Sequence, residues 1–457
     1  MIMKKFKHLF SISMFFLVSL SACKKGYLDI KPDQNLLIPV KLDDFQKILD
    51  NITIMNNGVG LPSLASDDYL ITSANLNTFT TPAERNAYFW ADDIYEGLQA
   101  PDWNRPYQQV FYANVVLDGL DKITVTTANK AQWNQIKGSA LFYRAFAFYQ
   151  LADEFALPYE AGNAQVLPGI PLKLSSDVNE RPKRGTLSEV YARIHGDLNE
   201  AVNLLPLKSA WLNQPGKLAV WALLARIQLS LGNYQEALAN ANNCIKESPT
   251  LLDYNSLSRT SIRPIAARNV EVLYNNFMLV YSFTSSTISS ISPELVGTYH
   301  NNDLRKYIFL RDRGNGIVTF KGNYSGSATV FSGLATDEMY LIRAECYARD
   351  GRIAEAMDDL NDLMMKRWDN KVTYPRITAS DSGEALSKIL TERRKELITR
   401  GTRWADLKRL NLDARFRLDI KRELNGKEYI LKPNSNKYAF PIPQNEIDRS
   451  GIDQNPK

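Results

Sequence analysis

The chain has 457 residues, of which 44% are hydrophobic, 23% charged and 11% aromatic, enough for a large core and unlike a disordered or collagen-like chain. Of three Cys and three His, one of each lies within the first 23 residues; Cys244, Cys346, His195 and His300 are too few for a disulfide scaffold, a multi-Cys zinc site or an iron–sulfur cluster. The net charge of +5 includes Lys4, Lys5 and Lys7; past residue 22, 52 basic residues face 50 acidic ones, which leaves no electrostatic footprint for nucleic acid.

Those lysines precede an apolar run, Leu9 to Leu20. A helix of this length spans about 18 Å, short of the roughly 30 Å of a bilayer core, so residues 1–22 read as a signal peptide rather than a membrane span. Its end, Leu20-Ser21-Ala22-Cys23, resembles the bacterial lipobox. The resemblance implies cleavage before Cys23 and lipidation of its thiol, with several acyl chains giving a stable outer-membrane anchor.

Residues 23–457 are expected to form a single domain. Apolar residues recur at helical spacing near 41–54, 102–122, 130–156, 186–205, 216–231, 234–247, 337–350, 352–367 and 384–410. Thr186 and Glu189 form a capping box that starts one of these helices, and Pro206 ends it. Within 221–249, Trp221, Ala225, Gly232, Tyr234, Ala237, Ala241 and Pro249 resemble a tetratricopeptide repeat. Small residues let two helices approach, and Gly232 turns the chain between them. Tyr340, Ala344, Tyr347, Gly351 and Ala356 repeat the pattern. Looser pairs join 130–156 with 186–206 and 41–54 with 102–122. The expected fold is mainly α: tetratricopeptide-like helix pairs near 41–122, 130–206, 216–249 and 337–367 forming a right-handed superhelical scaffold. Long inserted loops near 57–100, 157–185, 250–336 and 368–383 interrupt it, with a few short strands. Such loops are where function concentrates.

The ordered set KKGYLDIKPD, ALFYRAFAFYQLADEFALPY, GTLSEVYARIHGDLNEAVNLLP, the repeat at 221–249, TERRKELITRGTRWADLKRLN and YAFPIPQNEIDRSGIDQNPK resembles the SusD/RagB family of Bacteroidetes outer-membrane nutrient-binding lipoproteins, over nearly the whole chain. The resemblance implies a lid on a TonB-dependent, SusC-like transporter at the cell exterior. Such a lid captures oligosaccharides, or peptides in the RagB branch, without catalysis; for this chain no cofactor and no metal-ligating residue are expected.

The residues themselves point the same way. Glu392 to Glu396 and Arg403 to Asp406 read as ion pairs that lock a late helix to the fold, because residues three and four apart share a helix face. Phe440 to Ile447, with Pro441 and Pro443, reads as an extended tail packed over the helices. No Ser–His–acid or nucleotide-loop signature is present. Sugars are held by aromatic rings against their C–H faces and polar groups at their hydroxyl rim. The insertions hold such residues. In the first they are Asp67, Asp68, Tyr69, Asn75, Tyr88 and Trp90; in the second, Tyr274, Tyr281, Phe283, Tyr299 and Tyr324. The ligand-binding candidates are Asp67, Asp68, Tyr88, Trp90, Tyr281, Tyr299 and Tyr324, with Trp90 and Tyr281 foremost as surface stacking rings.

Overall fold

The structure is a computed structural model that describes residues 39–456; the expected signal peptide and Cys23 lie outside them. The fold is mainly α. Its longer helices are α1 (Leu42–Leu49), α2 (Pro101–Leu120), α3 (Lys130–Phe155), α4 (Leu187–Leu204), α5 (Lys217–Ser230), α6 (Tyr234–Glu247), α7 (Thr336–Arg349), α8 (Ile353–Met365), α9 (Ser382–Glu396) and α10 (Arg403–Leu410). Consecutive members of the series α2 to α8 pack on one another, α1 lies on α2 and α3, and α9 covers α7 and α8. Among the described residues no helix is long and apolar enough to cross a membrane.

Local chemistry accounts for the helix boundaries. The Thr186 hydroxyl accepts from the Glu189 N–H at 3.2 Å, and the Glu189 carboxylate accepts from the Thr186 N–H at 2.7 Å, which starts α4. Asp381 caps α9 by accepting from the Glu384 N–H at 2.9 Å. Gly232 and Gly351, at φ +75° and +78°, make the left-handed turns between α5 and α6 and between α7 and α8. Ala225, Ala237 and Ala241 are fully buried, as are Ala344 and Ala356, so the paired helices meet without large side chains between them.

The two long insertions are more ordered than loops. Asn57–Gly58 pairs in parallel with Phe277–Met278, and Tyr69–Leu70 pairs antiparallel with Ser290–Ile291. Between them lies an apolar cluster separate from the main helical core, built on Tyr69, Tyr88, Phe89, Phe283, Tyr299 and Tyr324. The insertions therefore spend most of their aromatic residues on a core of their own.

Ion pairs join this second core to the helices. Glu396 of α9 accepts from Arg367 Nε at 2.8 Å and Arg305 Nη1 at 3.0 Å, and all three side chains are fully buried. Arg305 also donates to Asp303 and Glu392, and Arg367 to Glu271 at 2.8 Å. Arg393 donates to Asp406 at 2.9 Å. The charged run 392–396 thus fastens α9, as its spacing indicates. The tail closes over α3: the Phe440 N–H donates to the Glu154 carbonyl at 2.8 Å, and Trp404 lies 4.8 Å from Tyr438 and 5.8 Å from Phe440. Removing one member of a buried ion pair leaves its partner uncompensated. Glu396→Ala is expected to lower stability by about 3–5 kcal/mol in urea unfolding. A loss under about 1 kcal/mol would mean that Asp303, Glu392 and Glu271 suffice for the two arginines.

Candidate functional site

A cleft of about 490 Å³ opens in the second insertion. Its floor is apolar, formed by Met278, Tyr281, Ile291, Phe320 and Val330, with Tyr69 from the first insertion. At its lip Ile262 and Val280 are 66% and 80% exposed, so apolar surface is available to an incoming molecule. Hydroxyls of Thr284, Ser285, Ser286, Ser289, Thr319, Ser327 and Thr329 line its sides, and Arg263, Arg311, Arg313 and Lys321 complete it. Arg311 lies in a β-ribbon, Leu310–Asp312 paired antiparallel with Val318–Phe320, and Arg313 directly follows the first strand. Arg311 and Arg313, two positions apart, line the cleft, and Asp312 between them does not. Among the described residues no Asp or Glu lines the cleft, and no group of His, Cys, Asp and Glu is placed to hold a metal.

Tyr281 is held rather than free to swing. Its hydroxyl donates to Asp102 Oδ2 at 2.8 Å, and its ring stacks near Phe283 with centroids 6.0 Å apart. Gly60 lies under the ring: a Cβ there would fall 2.9 Å from Tyr281 Cδ2, so only a residue without a side chain permits this seat. Asp102 also accepts from the Gly60 and Leu61 N–H groups, at 2.7 and 3.2 Å. Burial pushes the Asp102 pKa from 3.8 up to about 6, against the opposing effect of the bonds from Tyr281, Gly60 and Leu61. The folded state then binds this proton more tightly than the unfolded chain. Its contribution to stability is greatest below about pH 4 and falls as pH rises to about 6, a change of about 3 kcal/mol. In urea titrations Asp102→Asn should lack that fall, so the gap between variant and parent should change between these pH values and level off above them.

A second cleft, of about 650 Å³, lies between α2, the 171–182 loop and the helix Gln444–Ser450. Trp103, Tyr107 and Phe111 line it, and its charges are mixed: Lys173, Arg181 and Arg449 with Glu180 and Glu446.

Set beside known proteins, residues 26–229 match the family model SusD-like_3, described as starch-binding and associating with the outer membrane, and residues 334–457 match the model of the SusD family. The chain belongs to the SusD/RagB family. Solved structures with the same fold include a SusD superfamily protein from Bacteroides thetaiotaomicron, 21% identical with a TM-score of 0.74, covering 92% of this chain and all of that one. A SusD-like carbohydrate binding protein from Bacteroides vulgatus is 19% identical with a TM-score of 0.66, over 90% of this chain and 97% of that one. Surface glycan-binding protein A from Bacteroides uniformis is 15% identical with a TM-score of 0.69, over 91% of this chain and 99% of that one. Among curated proteins none matches. The two SusD/RagB matches leave 230–333 uncovered, and every residue lining the first cleft except Tyr69 falls in that interval.

On this SusD/RagB scaffold the expected surface positions of Tyr88, Trp90, Tyr299 and Tyr324 need correction, because the insertions consume these rings as core. Trp90 is 3% exposed and donates its indole N–H to the Ala65 carbonyl at 3.0 Å. Its backbone, at φ +53°, caps a short helix in the left-handed region where glycine is usual, and no sequence signal marks that. The Arg422 guanidinium lies 3.7 Å from the Tyr88 ring centroid and 4.5 Å from that of Trp90. The Tyr299 hydroxyl donates to the Lys395 carbonyl at 2.8 Å; that of Tyr324 bonds to Glu271 and Asp337. Asp67 and Asp68 are corrected likewise. Arg403 binds Asp67 through two bonds of 2.7 and 2.8 Å, and Arg394 lies 3.2 Å from Asp68, so these carboxylates pin the first insertion to α9 and α10. Burial opposes the charge on Asp67, but Arg403 and Arg394 hold its pKa well below the usual carboxylate range. Of the seven candidates only Tyr281 lines the cleft. Arg311, Arg313 and Lys321 were not among the sequence candidates; the alternation of Arg311-Asp312-Arg313 was the available signal. Trp90→Ala is expected to cost about 3–5 kcal/mol in stability, read as a large fall in melting temperature. An unchanged melting temperature would return Trp90 to the surface.

Proposed function

We propose that this chain is a cell-surface nutrient-binding lipoprotein that captures oligosaccharides in the 490 Å³ cleft and delivers them to a partner TonB-dependent, SusC-like outer-membrane transporter. The observation that carries this reading is the make-up of the cleft: a fixed apolar floor around Tyr281 and Phe320, flanked by hydroxyl groups. Sugar rings offer apolar C–H faces and a polar rim, and such a surface meets both. The family model's description as starch-binding, and the glycan-binding names of two proteins of the same fold, support it.

The lining supports capture rather than hydrolysis. Glycoside hydrolysis normally needs two carboxyl groups flanking the scissile bond, and among the described residues neither an Asp nor a Glu lines this cleft. The anchor is the lipidated Cys23, with the bulk of the chain outside the outer membrane. Mass spectrometry of the native N-terminus is expected to find a diacylglycerol on Cys23 as the first residue; an unmodified Cys23 would remove the anchor.

Binding is tested by calorimetry against a panel of oligosaccharides. Tyr281→Ala should weaken the best ligand by about 5- to 150-fold, the scale of an aromatic stacking contact, whereas Phe111→Ala in the second cleft should not. The reverse pattern would move the site to the second cleft. Binding of oligopeptides and of no glycan would make the chain a peptide-capturing lid.

A further inference from the structure

We propose that the ligand of this cleft is an acidic oligosaccharide, one whose sugars carry carboxylate or sulfate groups. The inference rests on the capture reading and adds the chemical class of the captured sugar. Most buried arginines among the described residues are matched to acids; Arg422, which donates to backbone carbonyls, is the exception. Arg305, Arg367, Arg393, Arg403 and Arg409 all have carboxylate partners. In the cleft the arginines are not. The Arg263 and Arg311 side chains have no partner among the described residues, and Arg313 donates only to the hydroxyls of Thr319 and Ser286, each at 3.2 Å. Lys321 donates only to the carbonyls of Arg259 and Ser261, at 2.8 and 2.9 Å. Burial, with Arg311 nearby, draws the Lys321 pKa down, the mark of a cation without a counter-charge.

Donor and acceptor chemistry narrows the ligand further. A neutral sugar rim is made of hydroxyls that both donate and accept, and sites for it mix amides and carboxylates with cations. Beside its hydroxyls, this cleft offers guanidinium and ammonium groups, which only donate, and among the described residues that line it there is one side-chain amide, Asn323, and no carboxylate. Carboxylate and sulfate groups only accept, and charge-assisted bonds to them are the stronger kind. The ribbon and the residue after its first strand support the assignment, because they bring Arg311 and Arg313 to the cleft and leave Asp312 outside its lining. The mixed charges of the second cleft lack this bias.

The test uses the soluble chain from residue 24 and three probes: oligogalacturonate for carboxylates, a chondroitin sulfate oligosaccharide for sulfates, and a neutral panel of malto- and xylo-oligosaccharides. At least one acidic probe should bind, and its affinity should fall steeply between about 0.05 M and about 0.5 M NaCl. The double variant Arg311→Gln/Arg313→Gln alters exposed side chains and should keep its melting temperature. It should lose about 10- to 100-fold in affinity for that probe, with partial recovery in Arg311→Lys/Arg313→Lys. Preference between the first two probes identifies the acid group. Tight binding of a neutral oligosaccharide, unchanged by salt and by the double variant, would overturn the inference and leave sugar capture standing. Binding of no probe, acidic or neutral, would overturn the capture reading together with it.

Discussion

The buried charges around Glu396 connect the two halves of this architecture. Arg305 and Arg367 have no exposed side-chain surface, yet both remain ionised because carboxylates surround them. Burial works against charge on Glu396, and the two guanidiniums more than offset it, holding its pKa below the usual value. The partners come from separate stretches of sequence: Glu271, Asp303 and Arg305 from the second insertion, Arg367 from just past the end of α8, and Glu392 and Glu396 from α9. Tyr254 and Tyr324 stack on this network, with Arg367 4.0 Å from the first ring and Arg400 3.9 Å from the second. Desolvating such ions is expensive unless each keeps its partners, so the network tolerates essentially one arrangement of the insertion on the helices. The cleft inherits its shape from that arrangement.

A division of labour among aromatic residues follows. An insertion that must fold against a helical body needs a core, and Tyr69, Tyr88, Phe89, Phe283, Tyr299 and Tyr324 supply it. Their hydroxyls, once buried, require partners, and Lys395, Glu271 and Asp337 provide them for Tyr299 and Tyr324. Tyr281 sits at the boundary. Its ring packs on the main helical core and on the insertion core, its hydroxyl is tied to Asp102, and part of its surface faces the cleft. A ring anchored in this way loses little conformational freedom when a ligand stacks on it.

The helix pairs were legible because their physics is local. A 3.6-residue period, a Thr-x-x-Glu box and small residues at contact positions each occupy a short window, and α4 to α8 follow from them. The charged run 392–396 was legible for the same reason, since Glu392 and Glu396 one turn apart must share a face. The site was much less so. Asn57 and Phe277 are 220 positions apart, and a two-residue strand has no period to detect. Trp90 has the composition of a sugar-stacking residue; only a left-handed backbone and a carbonyl at Ala65 make it core. Asp67 and Asp68 resembled a sugar-binding acid pair, and arginines more than 300 residues away claim them. Family membership was legible through the ordered segments, and those among the described residues lie in the scaffold.

That last point has a physical basis. The family matches end at residue 229 and resume at 334, so the recognisable chemistry is that of helix packing and of the charged run that receives the insertion. Glu271, Asp303 and Arg305 are the insertion's half of that junction, and they lie outside the ribbon and loops that face the cleft. Side chains of the cleft such as Ile262, Val280, Arg263, Arg311 and Arg313 are exposed and take no part in either core or in the buried network. Changing them costs little in folding, because surface residues away from buried features contribute little to stability. The floor of the cleft belongs to the insertion core, but its exposed rim does not. A buried electrostatic junction fixes the frame, and the rim can alter its charge and shape without loosening it.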